Sequence, residues 1–299
     1  MDLSAHNYLV DTDWLALHLK TNSIRIVEST SLLPNYFEEN EEDKTKKESG
    51  RQLWQDDHIV GSIFIDILTE LSDDKNGRFM YGMPSAEQFS SVMSQKGISN
   101  DHGLVIYDRN TNMWAARLWW MLRAFGFENA VVLDGGYTKW VSENKPTDNS
   151  ETKYPPGKFC VSPKPELIAD REKVLSATKK TATTSLINAL DPDEFEGKPP
   201  HRYGRGGRIP SSCNVPFTET VDIETQLYTS DDESFRLFSD VGATRKNEVI
   251  CYCGGGIAAC STALLLSRLG YEKVSVYDGS MTEWCADPDL PLETGKKEN

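Results

Sequence analysis

The sequence predicts an α/β fold made of two tandem domains, each a mostly parallel sheet flanked by helices. Three observations carry this. The chain has 299 residues, long enough for two domains of ordinary size. Residues 104–140 and 248–284 run through the same succession of elements. Each has an apolar strand, a loop, and an amphipathic helix closed by Gly126 or Gly270. Each continues with an aromatic (Phe127 or Tyr271), a second strand ending in Asp134-Gly135 or Asp278-Gly279, and a short helix bearing Trp140 or Trp284. Between the copies, Pro146, Pro155, Pro156, Pro163 and Pro165 interrupt regular structure. Strands that alternate with helices pair in parallel, because each crossover returns the chain to the same end of the sheet.

The remaining elements follow in order. Trp14 to Lys20 reads as a short helix and Ile24 to Glu28 as a strand, and this pair is echoed by Arg171 to Lys179 and Ser185 to Ala189. The charged tract from Glu38 to Glu48 reads as a solvated loop. The domains are expected at 1–148 and 166–299, joined by a Pro-rich linker over 149–165. In the second domain, Val249 to Tyr252 is a strand and a helix begins at Ile257.

The formal net charge of −14 argues against nucleic acid or an anionic membrane as partner, and any anion site has to be made locally. No apolar run approaches the roughly 20 residues of a membrane helix, and the N-terminus lacks the basic and apolar regions of a leader. The six cysteines, Cys160, Cys213, Cys251, Cys253, Cys260 and Cys285, all lie beyond residue 159. A disulfide-stapled protein would not leave its first half bare, so a reducing cytoplasm is expected. Their spacing makes no zinc site, and no metal is expected.

Cys253 ends the strand and is followed by Gly254, Gly255 and Gly256, then by the helix. A rigid strand holds the sulfur, a bare loop lets successive N–H groups curl round it, and the helix adds the positive end of its dipole. Such a cradle favours a thiolate and can hold an anion brought to it. The expected N–H donors are Gly254, Gly255, Gly256, Ile257, Ala258 and Ala259. A silent core cysteine would not need three glycines after it. Cys251, inside the strand, and Cys260, a turn into the helix, read as core. The first copy has Asp108-Arg109 near this position and no thiol, so only the second domain can carry cysteine chemistry.

Several further segments stand in one order along nearly the whole chain: His58 to Ile67, Met83-Pro84, Gly97 to Asp101, Arg117 to Met121, Leu133 to Gly136, Arg208-Ile209-Pro210, Asn214 to Phe217, the Cys253 loop, and Val276 to Ser280. Together they resemble the tandem-domain rhodanese family, which includes thiosulfate and 3-mercaptopyruvate sulfurtransferases. The resemblance implies two rhodanese-like domains, the first catalytically silent. It implies a ping-pong transfer in which Cys253 takes sulfur from a small donor as a persulfide and passes it to cyanide or another thiol. No cofactor is implied.

The chain departs from the family pattern near the donor. Thiosulfate-type loops carry basic residues after the cysteine, where only glycines stand here. Mercaptopyruvate-type loops carry hydroxyls at the places of Gly255 and Ala258, and many such enzymes place a histidine near Tyr81. Leu190 occupies the place of the family's anion-binding arginine. Arg202 and Arg205 are the candidate replacement cations, while Arg208 stands at a structural position. Asp66 and Tyr81 could line the site from the first domain, or simply end a strand and pack. Thiosulfate is the first expectation for the donor and 3-mercaptopyruvate the second. A cysteine phosphatase would need an arginine where Ala259 stands. A Cys251–Cys253 dithiol enzyme and a protein-fed sulfur carrier are the other rivals.

Overall fold

The computed structural model describes residues 1–32, 48–73, 79, 81–179 and 183–296; the expected solvated tract lies outside them except for Glu48. The first domain runs β1 (Leu9–Val10), α1 (Thr12–His18), β2 (Ile24–Glu28), β3 (Ser31–Leu32), β4 (Glu48–Ser49), α2 (Arg51–Asp56), β5 (His58–Ile59), β6 (Ile63–Phe64), α3 (Ala86–Gln95), β7 (Gly103–Tyr107), α4 (Met113–Ala124), β8 (Ala130–Leu133), α5 (Gly136–Ser142) and β9 (Thr147–Asp148). The second runs β10 (Ile168–Ala169), α6 (Arg171–Ala177), β11 (Ser185–Asn188), α7 (Pro192–Glu196), β12 (Cys213–Asn214), α8 (Asp231–Asp240), β13 (Val249–Tyr252), α9 (Ala258–Arg268), β14 (Val274–Tyr277) and α10 (Ser280–Ala286).

The two main sheets have the same plan. Their orders are β1-β8-β7-β2-β6 and β10-β14-β13-β11-β12, and their pairings are all parallel. Their central strands β7 and β13 are wholly buried, as continuous apolar runs covered on both faces require. Helix starts are fixed by local chemistry: Asp11, Ser85 and Asp170 accept an N–H from the first turn of α1, α3 and α6, and Ser230 forms a capping box with Glu233 on α8.

Register matches the strands of the two sheets residue by residue. Glu28 pairs with Tyr107 in the first sheet, and Asn188 with Tyr252 in the second. The Tyr107 hydroxyl accepts the Ile59 N–H at 3.2 Å and pairs with Ser62; the Tyr252 hydroxyl accepts the Ile209 N–H at 3.2 Å and pairs with Ser212. Tyr107 therefore corresponds to Tyr252, and the next residue, Asp108, to Cys253.

The domains share one core. Helix α4 packs on α9, and Trp114, Trp119 and Trp120 of α4 are fully buried, as is Trp140 of α5. Residues 149–164 form no helix or strand but are anchored: Phe159 is buried between Phe89 and Phe127. Each domain also lends a strap to the other. The Met83 N–H reaches Asp278 Oδ2 at 2.8 Å, and the Tyr228 N–H reaches Asp134 Oδ1 at 2.9 Å. The two Asp-Gly carboxylates of the repeat thus do the same work in opposite directions.

The first sheet carries a buried ion pair of its own. Arg109 holds the fully buried Glu28 carboxylate at 2.6 and 3.2 Å and lies 3.7 Å from the centre of the Tyr137 ring. Arg109→Met would leave that carboxylate uncompensated, and denaturant melting should show a loss of about 3–5 kcal/mol.

Candidate active site

Cys253 follows β13 directly and is 3% exposed. Its surroundings are built by pinning the carbonyls of the loop. The Cys253 carbonyl accepts the Met281 N–H at 3.0 Å, and the Gly254 carbonyl accepts the Thr282 N–H at 2.9 Å and its hydroxyl at 2.7 Å. The Cys253 N–H itself donates to Ser280 Oγ at 3.1 Å, and that hydroxyl donates to the Tyr277 carbonyl. The first turn of α10 therefore fixes the start of the loop. The Gly256 carbonyl accepts from Cys260 Sγ at 3.1 Å and from Arg117 Nη1 at 3.3 Å. Gly256 sits at φ +75°, and a Cβ there would lie 2.7 Å from the Asp278 carbonyl oxygen, so the turn admits no side chain.

The N–H groups are left open. Among the described residues, no carbonyl accepts from the N–H of Gly254, Gly255, Gly256, Ile257, Ala258 or Ala259. The last two are the first positions of α9, whose N–H groups lie beyond the reach of the helical ladder. All six residues expected to form the cradle are thus donors without a carbonyl partner.

The first domain shows what such a loop accepts. Asp108, the counterpart of Cys253, is 1% exposed, and its carboxylate takes four backbone N–H groups. Oδ1 accepts from Asn110 at 2.7 Å and Asn112 at 3.1 Å; Oδ2 accepts from Trp114 at 2.9 Å and Ala115 at 2.8 Å. The last two donors lie in the first turn of α4, as Ala258 and Ala259 lie in the first turn of α9. Burial pushes the Asp108 carboxyl up to about 7, and the four N–H bonds work in the other direction. The silent copy is a cradle filled by its own side chain.

The other thiols are poor rivals. Burial pushes the Cys251 thiol well up and that of Cys260 up to about 12, the latter in spite of Arg117 beside it. Both are fully buried and stay protonated at neutral pH. Burial also raises the thiol of Cys285, which is 6% exposed.

Of the two candidate cations, Arg205 requires a correction. Its guanidinium donates to the carbonyls of Trp284, Cys285, Asp287, Pro288 and Leu290, closing the C-terminal end of α10. It is a helix cap, not an anion contact. A run of glycines and arginines shows basic charge in the sequence but not the distant carbonyls that absorb it. Arg202 lies in a small cleft with Leu190, Tyr203 and Met281, 3.4 Å from Glu194, so its charge is balanced locally. Leu190 is 5% exposed, an apolar wall of that cleft. Arg208 is buried against the Phe195 ring and donates to the Gly295 carbonyl, a structural role. Asp66 accepts the N–H groups of Leu68 and Thr69 within its own turn, and Tyr81 contributes its carbonyl to Arg117 at 2.9 Å.

The sequence reading missed Tyr203, Thr282 and the role of Arg117. Tyr203 lies against the loop so closely that a Cβ on Gly254 would fall 1.9 Å from its hydroxyl oxygen. All three come from segments distant in sequence. The one available signal was the tyrosine match between the repeats, which would have put Asp108 in register with Cys253.

A cysteine at a strand end, followed by a loop whose N–H groups have no carbonyl partner among the described residues and whose twin in the other domain closes on a carboxylate, marks the candidate site of this tandem α/β protein. The family described as Rhodanese-like domain matches residues 12–143 and 172–287, and the chain belongs to that family. It is 32% identical over 291 residues to a 3-mercaptopyruvate sulfurtransferase of Escherichia coli (strain K12), covering 97% of this chain and 99% of that one. It is 34% identical over 248 residues to a putative thiosulfate sulfurtransferase of Mycobacterium bovis, covering 80% and 87%. The crystal structure of SseA from Escherichia coli, a protein of the rhodanese fold, matches with a TM-score of 0.77 at 29% identity, over 91% of this chain and 98% of that one.

Two outcomes test the geometry. Asp108→Ala should strand four N–H groups and cost about 3 kcal/mol or more, and millimolar sulfate should raise its melting temperature more than that of the parent. Gly254→Ala should lower the rate at which iodoacetamide modifies Cys253, and adding Tyr203→Ala should restore part of it by removing the clash.

Proposed function

We propose that this sulfurtransferase takes the outer sulfur of thiosulfate onto Cys253 and delivers it to a thiophilic acceptor such as cyanide or a thiol. The observation that carries the reading is that the six residues after Cys253 have N–H groups without a carbonyl partner among the described residues. The Cys253 thiolate attacks the terminal sulfur of the donor. A sulfur–sulfur bond forms, the bond to the sulfonate breaks, and sulfite departs with its electron pair. The negative charge moves one atom outward onto the persulfide, where N–H donors fixed before the reaction can follow it at no cost in reorganisation. An acceptor then attacks the outer sulfur, forming thiocyanate in the case of cyanide, and the thiolate returns. The cysteine carries the sulfur itself, so the cycle needs no cofactor.

The balance of charge supports thiosulfate. An α-keto acid is best held by a bidentate guanidinium on its carboxylate. Here Arg205 is engaged by carbonyls, Arg202 faces Glu194, and Leu190 is apolar. A sulfonate offers three equivalent oxygens, which backbone N–H groups can take in any rotation. 3-Mercaptopyruvate is the second reading, favoured by the Escherichia coli relative of that name and by a rat one 30% identical over 298 residues. A thiol that cycles through a persulfide suits a reducing cytoplasm, and none of the six cysteines forms a disulfide.

Thiocyanate formation with each donor, compared by kcat/KM, tests the assignment. Thiosulfate should exceed 3-mercaptopyruvate; the reverse order would transfer the assignment to the second donor, and negligible rates with both would point to a protein-fed sulfur carrier. Cys253→Ser should lose at least about ten-thousand-fold in rate while its stability changes by less than about 1 kcal/mol.

A further inference from the structure

Arg117 belongs to α4 of the cysteine-free domain, yet it ends beneath the cysteine loop of the other. Its side chain is fully buried, and its guanidinium reaches partners in three segments outside its own helix besides lying beside Cys260. Nη1 lies 2.6 Å from Asp278 Oδ1 and 3.3 Å from the Gly256 carbonyl, and Nη2 lies 2.9 Å from the Tyr81 carbonyl. The second oxygen of Asp278 holds the Met83 N–H. One guanidinium thus ties the turn of the loop, the Asp-Gly corner and the first-domain strap together.

The consequence lies in the peptide between Gly256 and Ile257. In a trans peptide the C=O and the following N–H point in opposite directions. Drawing the Gly256 carbonyl towards Arg117 and Cys260 therefore turns the Ile257 N–H the other way, into the cradle. The silent domain supports this. Asn112, which stands just before α4 as Ile257 stands just before α9, gives its N–H to the Asp108 carboxylate at 3.1 Å, and that loop is also held from across the interface, by Gln226. We infer that Arg117 is a positioning residue for sulfur transfer: from the domain without a thiol, it aims the Ile257 N–H at the sulfur of Cys253. The first domain then serves the reaction as well as the fold. The inference rests on Cys253 being the nucleophile.

A lysine keeps the charge but is a single point donor, unable to serve Asp278, Gly256 and Tyr81 in one fixed geometry. In the full chain, Arg117→Lys should slow single-turnover loading of Cys253 from thiosulfate, followed by intact mass, by about tenfold or more. In steady state kcat should fall with it while KM for the donor stays within about twofold. A purely structural role would lower the melting temperature and leave loading per folded molecule unchanged. Arg117→Met combined with Asp278→Asn removes both charges together, so a folded variant is available even if lysine is poorly accommodated; it should show the same loading defect. Loading at the parent rate in either folded variant overturns the inference. The two levels separate cleanly: sulfur loading in Cys253→Ser would overturn the nucleophile, whereas an inert Cys253→Ser with normal loading in Arg117→Lys would overturn the positioning role alone.

Discussion

The loop after Cys253 depends on one constraint: the carbonyls of Cys253, Gly254 and Gly256 are held by residues outside it, while its N–H groups have no carbonyl partner among the described residues. Met281 and Thr282 take the first two carbonyls, and Arg117 with Cys260 takes that of Gly256. A backbone that gives up its acceptors in this way would be costly if the donors stayed unsatisfied. The cost is offset when an anion fills the space. In the first domain that anion is permanent, the carboxylate of Asp108. In the second domain the side chain at the corresponding strand end is that of Cys253. One local architecture thus holds an aspartate in one domain and a cysteine in the other.

The cross-domain contacts follow from the same need. A seven-residue helix and a glycine turn would not hold the loop rigid on their own, since each glycine adds conformational freedom. The opposite domain supplies the missing restraint, through Arg117 and the strap at Tyr81 and Met83 on one side and through Gln226 and Tyr228 on the other. The shared core between α4 and α9 keeps these long-range partners in register. The protein is acidic overall, with a formal net charge of −14, so any attraction for an anion has to come from local groups at short range rather than from the field of the molecule.

Much of this was legible in the sequence because it is local. Strand, cysteine, three glycines and helix are adjacent along the chain, and the repeat of glycine, aromatic, Asp-Gly and tryptophan gave both domains their order. The expected helix start at Ile257 falls one residue before α9, with Ile257 as its N-cap. What could not be read was which distant atoms meet. Arg205 carried the right charge for an anion site, yet the carbonyls at the end of α10 claim it. Arg117 stood in a hydrophobic helix as one residue of a motif, and its partners lie more than 30 residues away. Tyr203 closes over Gly254 from a different segment altogether.

The most direct test of the central claim is to locate the transferred sulfur. Treating the protein with thiosulfate, digesting it under acid conditions and weighing the peptides should place one additional sulfur atom on the peptide that carries Cys253, with cyanide removing it. Sulfur found instead on the exposed Cys160, or on the buried Cys251 or Cys260, would contradict the account.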